Sequence, residues 1–341
     1  MSRQLILLPA ALALLAAPPA AAQNNAPRPP DHATKGSHSV VRTIAVPKRA
    51  PPVVQDYAPA PALWRLVDAD TTIYLFGTHH ILPENFRWRT PRFDAALAEA
   101  QELVVETSDS EGDAGMAAVM ADMTRAMKER PATSTRLTPV NQDKWRAIAG
   151  EVGMPFAAFD RMPVLFAMMG AGLSLSQMQG SLHEHGVETM LEAEFIAAKK
   201  PIGSIEDAVE VMRALFAIDE TPLIEQLDKD LSEWDGKDME ALFTWEEDKG
   251  GESAVSFASE HDWARGRLMP LFTEEDLAEP GMRAIYDALL TNRNRAWAQW
   301  LAARLDKPGV TMVAVGAGHF EGPDSVLARL SERGLVAERI Q

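Results

Sequence analysis

Two short apolar strands, each followed by Gly-x-x-His, constrain this chain more than any other feature of its sequence. Residues 73–80 read Ile-Tyr-Leu-Phe-Gly-Thr-His-His, and residues 310–319 read Val-Thr-Met-Val-Ala-Val-Gly-Ala-Gly-His. Apolar runs rich in β-forming residues predict buried strands that end at the glycine. Because ligands bind outside the carboxyl ends of strands in open α/β sheets, His80 and His319 are candidate site residues.

Two more predicted strands end at a carboxylate. Residues 103–105 are followed by Glu106, and residues 202–205 are followed by Glu206. Apolar residues at helical spacing over 91–100 separate the first Gly-x-x-His strand from the strand at 103–105. Strand, helix and strand in this order predict a βαβ unit with parallel pairing. The predicted fold class is therefore α/β, with a central and mostly parallel sheet.

The first 61 residues are not expected to belong to the folded domain. Residues 1–22 combine Arg3, a short apolar run and an alanine-rich cleavage pattern, which is typical of a secretory signal peptide cleaved after Ala22. That apolar run is too short and too interrupted by proline for a membrane anchor, so no membrane segment is expected in the mature chain. Residues 23–61 are rich in proline and poor in large apolar side chains, which favours a disordered spacer. A periplasmic or secreted location follows.

The remaining residues, 62–341, are enough for one large domain or for a core with an inserted helical subdomain. The region 108–290 shows mostly helical spacing of its apolar residues, apart from a short strand near 201–206. We therefore expect an α/β core with a long helical insertion.

The composition excludes several functional classes. The chain has 49 acidic and 33 basic residues, a formal net charge of -16, which argues against nucleic acid or anionic lipid as a partner. It contains no cysteine, which excludes a disulfide framework, a cysteine nucleophile and a thiolate metal site. A peptide or a small molecule remains as the expected substrate, and the oligomeric state is not predicted.

The four predicted strand ends carry His80, Glu106, Glu206 and His319. Two histidines with one or two carboxylates, and no thiolate, match a divalent metal site that keeps a position open for water. Such a metal lowers the pKa of the bound water and polarises a carbonyl, while a spare glutamate moves the proton. The alternative is that the two histidines only cap the sheet edge or hydrogen-bond to each other.

A polar pair in the last long predicted helix could complete such a site. Arg293 suits an oxyanion or a substrate carboxylate, and the neighbouring Asn294 could position either group. Both side chains are therefore candidate catalytic residues.

Further short motifs occur in a distinctive order along the chain. They are Leu63-Trp64, 74–80, Gly186-Val187-Glu188, 200–202 with Ile205-Glu206, Arg293-Asn294 and 316–319. In this order they resemble the TraB/GumN family, which is related to the Tiki proteases and more distantly to the erythromycin esterases. The resemblance covers about residues 62–340, and it implies an α/β core of two related halves with inserted helices and a metal-dependent hydrolase site.

The resemblance also implies roles for individual residues. It implies metal ligation by His80, Glu106 and His319, and catalytic work by Glu206, Arg293 and Asn294. The implied cofactor is a divalent metal such as manganese, cobalt or zinc.

Two positions depart from the family pattern. Glu188 stands where an aspartate is more usual, so a ligand role does not carry over directly. His79 replaces an apolar residue, and we expect its side chain to point away from His80 because side chains alternate along a strand.

The leading functional hypothesis is a periplasmic or secreted metal-dependent hydrolase that acts on peptide bonds. One alternative is a binding protein that uses the same residues to hold a metal, haem or small ligand without turnover. Another is a metal-free, esterase-like hydrolase with His80 or His319 as general base.

Overall fold

The computed structural model describes residues 52–108, 113–237, 239, 242, 257–268 and 270–341. The predicted signal peptide at 1–22 and residues 23–51 of the predicted spacer lie outside the described residues.

A six-stranded, mostly parallel sheet is the centre of the described fold, so the predicted α/β class is confirmed. Its strand order is β6-β4-β7-β2-β1-β8. The strands are β1 (Leu63–Val67), β2 (Thr71–Thr78), β4 (Glu102–Val105), β6 (Ile202–Ser204), β7 (Gly309–Gly316) and β8 (Glu338–Arg339), while β3 (Leu82–Pro83) pairs with β5 (Ser181–Leu182) in a separate two-stranded sheet. Strands β6, β4, β7 and β2 run parallel, and β1 and β8 add an antiparallel edge.

The two strands of the predicted βαβ unit, β2 and β4, are parallel but do not pair directly. Strand β7 lies between them and pairs with both, with Leu75 opposite Val313 and Val104 opposite Val313 on the other side. A crossover connection fixes strand direction but not adjacency. The gap is filled by β7 because its side chains are apolar on both faces, as a central parallel strand requires.

Helices surround this sheet, and most of them lie in the stretch of sequence between β4 and β7. They are α1 (Pro91–Glu99), α2 (Asp113–Glu129), α3 (Pro139–Glu151), α4 (Phe156–Phe159), α5 (Val164–Met178), α6 (Val187–Ala198), α7 (Ala208–Phe216), α8 (Thr221–Glu233), α9 (Ala258–Ala264), α10 (Glu274–Ala278), α11 (Pro280–Tyr286), α12 (Asn292–Leu305) and α13 (Val326–Ser331). One π-helical turn, Asp287–Thr291, joins α11 to α12. No helix in the described ranges is long and apolar enough to cross a membrane.

The sheet buries both of its faces. On one face Phe76 packs against Phe93 of α1, with ring centroids 4.5 Å apart. On the other face Leu75 lies in a cluster with Trp297 and Leu301 of α12. A fully buried side chain of this size contributes roughly 1.5–3 kcal/mol, so the alternation along β2 fixes its register firmly. A third apolar cluster, around Trp145, is formed by the inserted helices.

The last part of the predicted spacer lies against the domain. Tyr57 places its hydroxyl 2.6 Å from Nδ1 of His261, and the backbone N–H of Ala60 donates to the carbonyl of Ala264 at 2.7 Å. Contacts of this kind join residues 52–61 to α9, and the domain boundary at residue 62 stays a prediction.

Candidate functional site

The carboxyl ends of β2, β4, β6 and β7 bring the predicted site residues to one edge of the sheet. His80 follows β2, Glu106 follows β4, Glu206 follows β6, and His319 lies in the 3₁₀ turn after β7, while Arg293 and Asn294 lie in the first turn of α12. All six side chains are largely withdrawn from solvent. The structure therefore joins residues that lie up to about 240 positions apart in the sequence, because parallel strands end at the same edge.

The carboxylate of Glu188 holds the His80 ring. Its Nδ1 lies 2.7 Å from Oε1 of Glu188, in the first turn of α6. The hydroxyl of Thr78 donates to the same carboxylate oxygen. With Nδ1 turned to a carboxylate, the Nε2 atom of His80 faces the rest of the site.

His319 is oriented by an amide instead. Its Nδ1 lies 2.6 Å from Oδ1 of Asn294, whose amide nitrogen donates to the carbonyl of Asp324 at 2.9 Å. Since the amide nitrogen is committed to that carbonyl, the amide oxygen must accept from His319, and Nδ1 carries the proton. The ring also packs on Trp297, with centroids 4.1 Å apart. Its Nε2 is thereby left as an acceptor that faces the site.

Glu106 lies between the two histidines. Its Oε1 is 3.9 Å from Nε2 of His80 and 3.8 Å from Nε2 of His319. The same oxygen accepts the backbone N–H of Gly316 at 2.7 Å. A Cβ at position 316 would lie 3.0 Å from this oxygen and 3.2 Å from Nε2 of His80, so only glycine fits there without a shift. The Gly-x-x-His glycine thus makes room for the site as well as for the turn.

Arg293 connects two of the carboxylates. It donates through Nε to Oε2 of Glu206 at 2.8 Å and through Nη2 to Oε1 of Glu206 at 2.5 Å, and Nη2 also pairs with Glu106. The indole N–H of Trp297 donates to Glu206 at 2.9 Å. The π-helical turn before α12 precedes these residues directly, and such turns are frequent at functional sites. Both oxygens of Glu206 therefore accept hydrogen bonds from protein donors.

The environments of the two histidines shift their pKa values in opposite directions. Burial alone would lower the pKa of His80, but the carboxylates of Glu188 and Glu106 outweigh it and raise the pKa to about 9. For His319, burial and the nearby Arg293 lower the pKa to about 3. Protein without metal would thus carry one cationic and one neutral imidazole at neutral pH.

The pKa values of Glu106 and Glu206 are also shifted in opposite directions. Burial acts against ionisation of Glu106, yet the Arg293 cation, followed by the two histidines and the backbone N–H of Gly316, holds its pKa well below the usual range. Burial raises the pKa of Glu206, the partner that shares the same guanidinium. Of the two carboxylates, Glu106 is the one that stays ionised most firmly.

Three leucines, Leu271, Leu289 and Leu290, cover the site. The cavity that they enclose with the histidines has a volume of about 20 Å³. That is enough for one water-sized group, so a larger substrate requires movement of the leucines. A larger cavity of about 230 Å³, near Arg89, shares no lining residue with this site.

The donor types at this edge suit a divalent metal, but their spacing is wide. In the described part of the chain no group of three or more His, Asp or Glu side chains meets the geometry of a metal site. The Nε2–Oε1 distances of 3.9 and 3.8 Å exceed the roughly 3.4 Å that separates tetrahedral ligands bound at about 2.1 Å. Both Nε2 atoms nevertheless lie within 4 Å of the same Glu106 oxygen, and a carboxylate at Nδ1, as Glu188 is to His80, is typical of metal-binding histidines. Binding would require a contraction of about half an ångström.

Some contacts of the site were not predicted from the sequence. The contact of Glu188 with His80 was not predicted, since it depends on where α6 begins in space. Trp297 could have been found, because it lies four positions after Arg293 and hence on the same helix face. His79 packs on Trp263, with centroids 4.9 Å apart.

Fold and site together define a class: an α/β protein with a histidine and carboxylate site at the carboxyl ends of its parallel strands. The model of the TraB/PrgY/gumN family matches residues 62–339. This protein belongs to the TraB/PrgY/gumN family, as its motifs predicted. No curated protein and no solved structure is similar enough to match the chain.

Proposed function

We propose that this protein is a metal-dependent hydrolase that acts on peptide bonds outside the cytoplasm. The observation that carries the proposal is the orientation of two imidazoles, with Nε2 of His80 and of His319 both facing Oε1 of Glu106. The signal-peptide pattern at 1–22 supports export. Family membership is consistent with this function but does not fix a substrate.

His80, Glu106 and His319 would hold the ion, of which manganese, cobalt and zinc are the candidates. When bound, a divalent metal polarises the scissile carbonyl and lowers the pKa of a water molecule. The chain's own contribution is to turn Nε2 of each histidine towards the site, and His80, which is cationic without metal, would give up its Nε2 proton on binding the ion. The covering leucines exclude bulk water, which strengthens every charge interaction inside.

Arg293 and Glu206 are proposed to act together. Arg293 is the candidate for stabilising a developing oxyanion, and Glu206 is the candidate proton carrier. In the structure Arg293 donates two hydrogen bonds to Glu206. A shift of the guanidinium towards substrate charge would free a Glu206 oxygen, whose raised pKa suits it to take up a proton.

The test combines metal analysis with a peptide-library cleavage assay, run on the purified protein with and without chelator. We expect bound metal and chelator-sensitive cleavage, both lost in His80→Ala and His319→Ala. His185→Ala is the matched control, since His185 lies outside the site and should keep both properties. Cleavage without metal, or metal without cleavage, would overturn the proposal.

A second candidate function is a metal-free hydrolase, which the opposite protonation of the two histidines favours. Neutral His319 could accept a proton at Nε2 as general base, and cationic His80 could donate one. Hydrolysis that resists chelator but is lost in His319→Ala would support this function. Metal or haem bound without any hydrolysis would instead indicate a binding protein.

A further inference from the structure

We propose that Glu188 is a positioning residue, which turns Nε2 of His80 towards Glu106 and His319 and, when the imidazole is neutral, keeps its proton on Nδ1. The importance of this orientation for catalysis rests on the proposed function. The orientation itself is a property of the protein and can be measured without a substrate.

The contact between Glu188 and His80 is close and buried. Oε1 of Glu188 lies 2.7 Å from Nδ1 of His80, and the two side chains are 12% and 4% exposed. Thr78 donates to the same oxygen and so fixes the carboxylate from the other side. Neither Nδ1 of His80 nor Oε2 of Glu188 has a well-aligned hydrogen bond among the described residues. The pair is thus held by the 2.7 Å contact between the two atoms and by the burial of both side chains.

The backbone just before Glu188 contacts the loop that carries His80. The N–H of Val187 donates to the carbonyl of His79 at 3.0 Å. A Cβ at Gly186 would overlap the carbonyl oxygen of His80, so glycine is required for this close approach. Nδ1 of His183 also lies 3.3 Å from that oxygen. These contacts set the start of α6 against the His80 loop, and the Glu188 side chain reaches Nδ1 as a result.

A purely structural role would look different. An acidic residue in the first turn of a helix is stabilising because it faces the positive end of the helix dipole, normally at the surface. Glu188 is instead turned inward onto an imidazole and a hydroxyl. A carboxylate behind a histidine whose other nitrogen faces a site is the arrangement that fixes tautomer and ring orientation.

The experiment compares Glu188→Ala and Glu188→Gln with Glu194→Gln as the matched control. Glu194 lies on the same helix, is 43% exposed and pairs with Arg89, away from the site. The first measurement is ¹⁵N NMR of the histidine side chains in metal-free protein at pH 10, where the His80 imidazole is neutral, with His80 assigned from the His80→Gln spectrum. We expect a protonated Nδ1 at His80 in the wild type and in Glu194→Gln, and its loss in Glu188→Ala. Glu188→Gln should keep it in part, because the amide oxygen still accepts.

The second measurement is the affinity for zinc or manganese alone. Loss of such a partner typically weakens metal binding by about 10- to 100-fold, which we expect for Glu188→Ala, with a smaller loss for Glu188→Gln. Unchanged His80 nitrogen signals in Glu188→Ala would overturn the proposal. If Glu188→Ala does not fold, the similarly shaped Glu188→Gln decides, and signals identical to the wild type would then overturn it. If the wild type binds no metal and cleaves nothing, the proposed function fails, while the NMR result still decides the role of Glu188.

Discussion

The His80 and His319 sides of the site begin from the same motif and end in opposite electrostatic states. Each histidine follows a buried parallel strand by the same Gly-x-x-His turn, and each faces Glu106 through Nε2. His80 is backed by the carboxylate of Glu188, which raises its pKa against the effect of burial, whereas His319 is backed by the neutral amide of Asn294 and stays uncharged. The motif therefore places an imidazole, and its surroundings decide its charge: the Glu188 carboxylate for His80, and burial with the nearby Arg293 for His319.

The largest effect should come from replacing Arg293, the cation that pairs with Glu106 between the two histidines. Arg293→Met leaves Glu206 buried without its counter-charge and leaves Glu106 with His80 as its remaining cationic neighbour. We expect a loss of about 5 kcal/mol in unfolding free energy, the upper end for an unpaired buried charge. Urea unfolding measures it, with Arg295→Met on the exposed part of the same helix as control. A loss no larger than that of the control would show that Arg293 does not hold the two sides together.

Removing each histidine in turn should separate the two sides. In metal-free protein His80→Ala leaves the Glu188 carboxylate buried without its partner, at a cost of about 3 kcal/mol. His319→Ala leaves only the neutral Asn294 oxygen, at a cost of about 1–2 kcal/mol. Equal losses in chemical denaturation would contradict the difference in partners.

Glycine substitution should disturb one side only. Gly186→Ala pushes a methyl group against the His80 carbonyl, and overpacking of this kind costs about 1–3 kcal/mol. Gly203→Ala is the matched control, because a Cβ there meets nothing within 4 Å. We expect changed NMR signals for His80 and unchanged signals for His319 in Gly186→Ala. Changes at both histidines would mean that the two sides move as one body.

The pH dependence should have opposite signs for the two histidines in metal-free protein. Between pH 6.5 and about 9 only the folded state keeps His80 protonated, so its stabilisation is complete below pH 6.5 and lost as the pH rises. Between pH 6.5 and about 3 only the unfolded state protonates His319, so its stabilisation is complete above pH 6.5 and lost as the pH falls. Each slope is at most about 1.4 kcal/mol per pH unit.

Denaturation of the wild type and both alanine variants from pH 4 to 9 isolates these contributions. The difference between wild type and His80→Ala should shrink towards high pH, and that between wild type and His319→Ala towards low pH. Parallel curves for all three proteins would show that neither histidine is shifted.

The convergence of the site was predictable from the sequence, whereas its internal pairing was not. Strand ends in a parallel sheet share an edge, so the placement of four residues follows from four apolar runs: His80, Glu106, Glu206 and His319. Arg293 pairs with both Glu106 and Glu206 because of the way α12 crosses the sheet. No local sequence pattern encodes that crossing. The partner of His80 depends on the close approach at Gly186, a contact between segments about a hundred residues apart. The periodicity of apolar residues gives no information on contacts between segments so far apart in the sequence.

The central place of β7 makes the sheet dependent on the end of the chain. Until residues 309–316 have been synthesised, β2 and β4 each present an open edge that nothing earlier in the described chain pairs with. Unpaired edges favour association with other chains, and pairing across so long a sequence separation is slow. We expect the β1–β2 hairpin and the β4–β6 pair to persist as separate units during translation. Insertion of the last long strand between them, rather than formation of any helix, should then set when the site first exists.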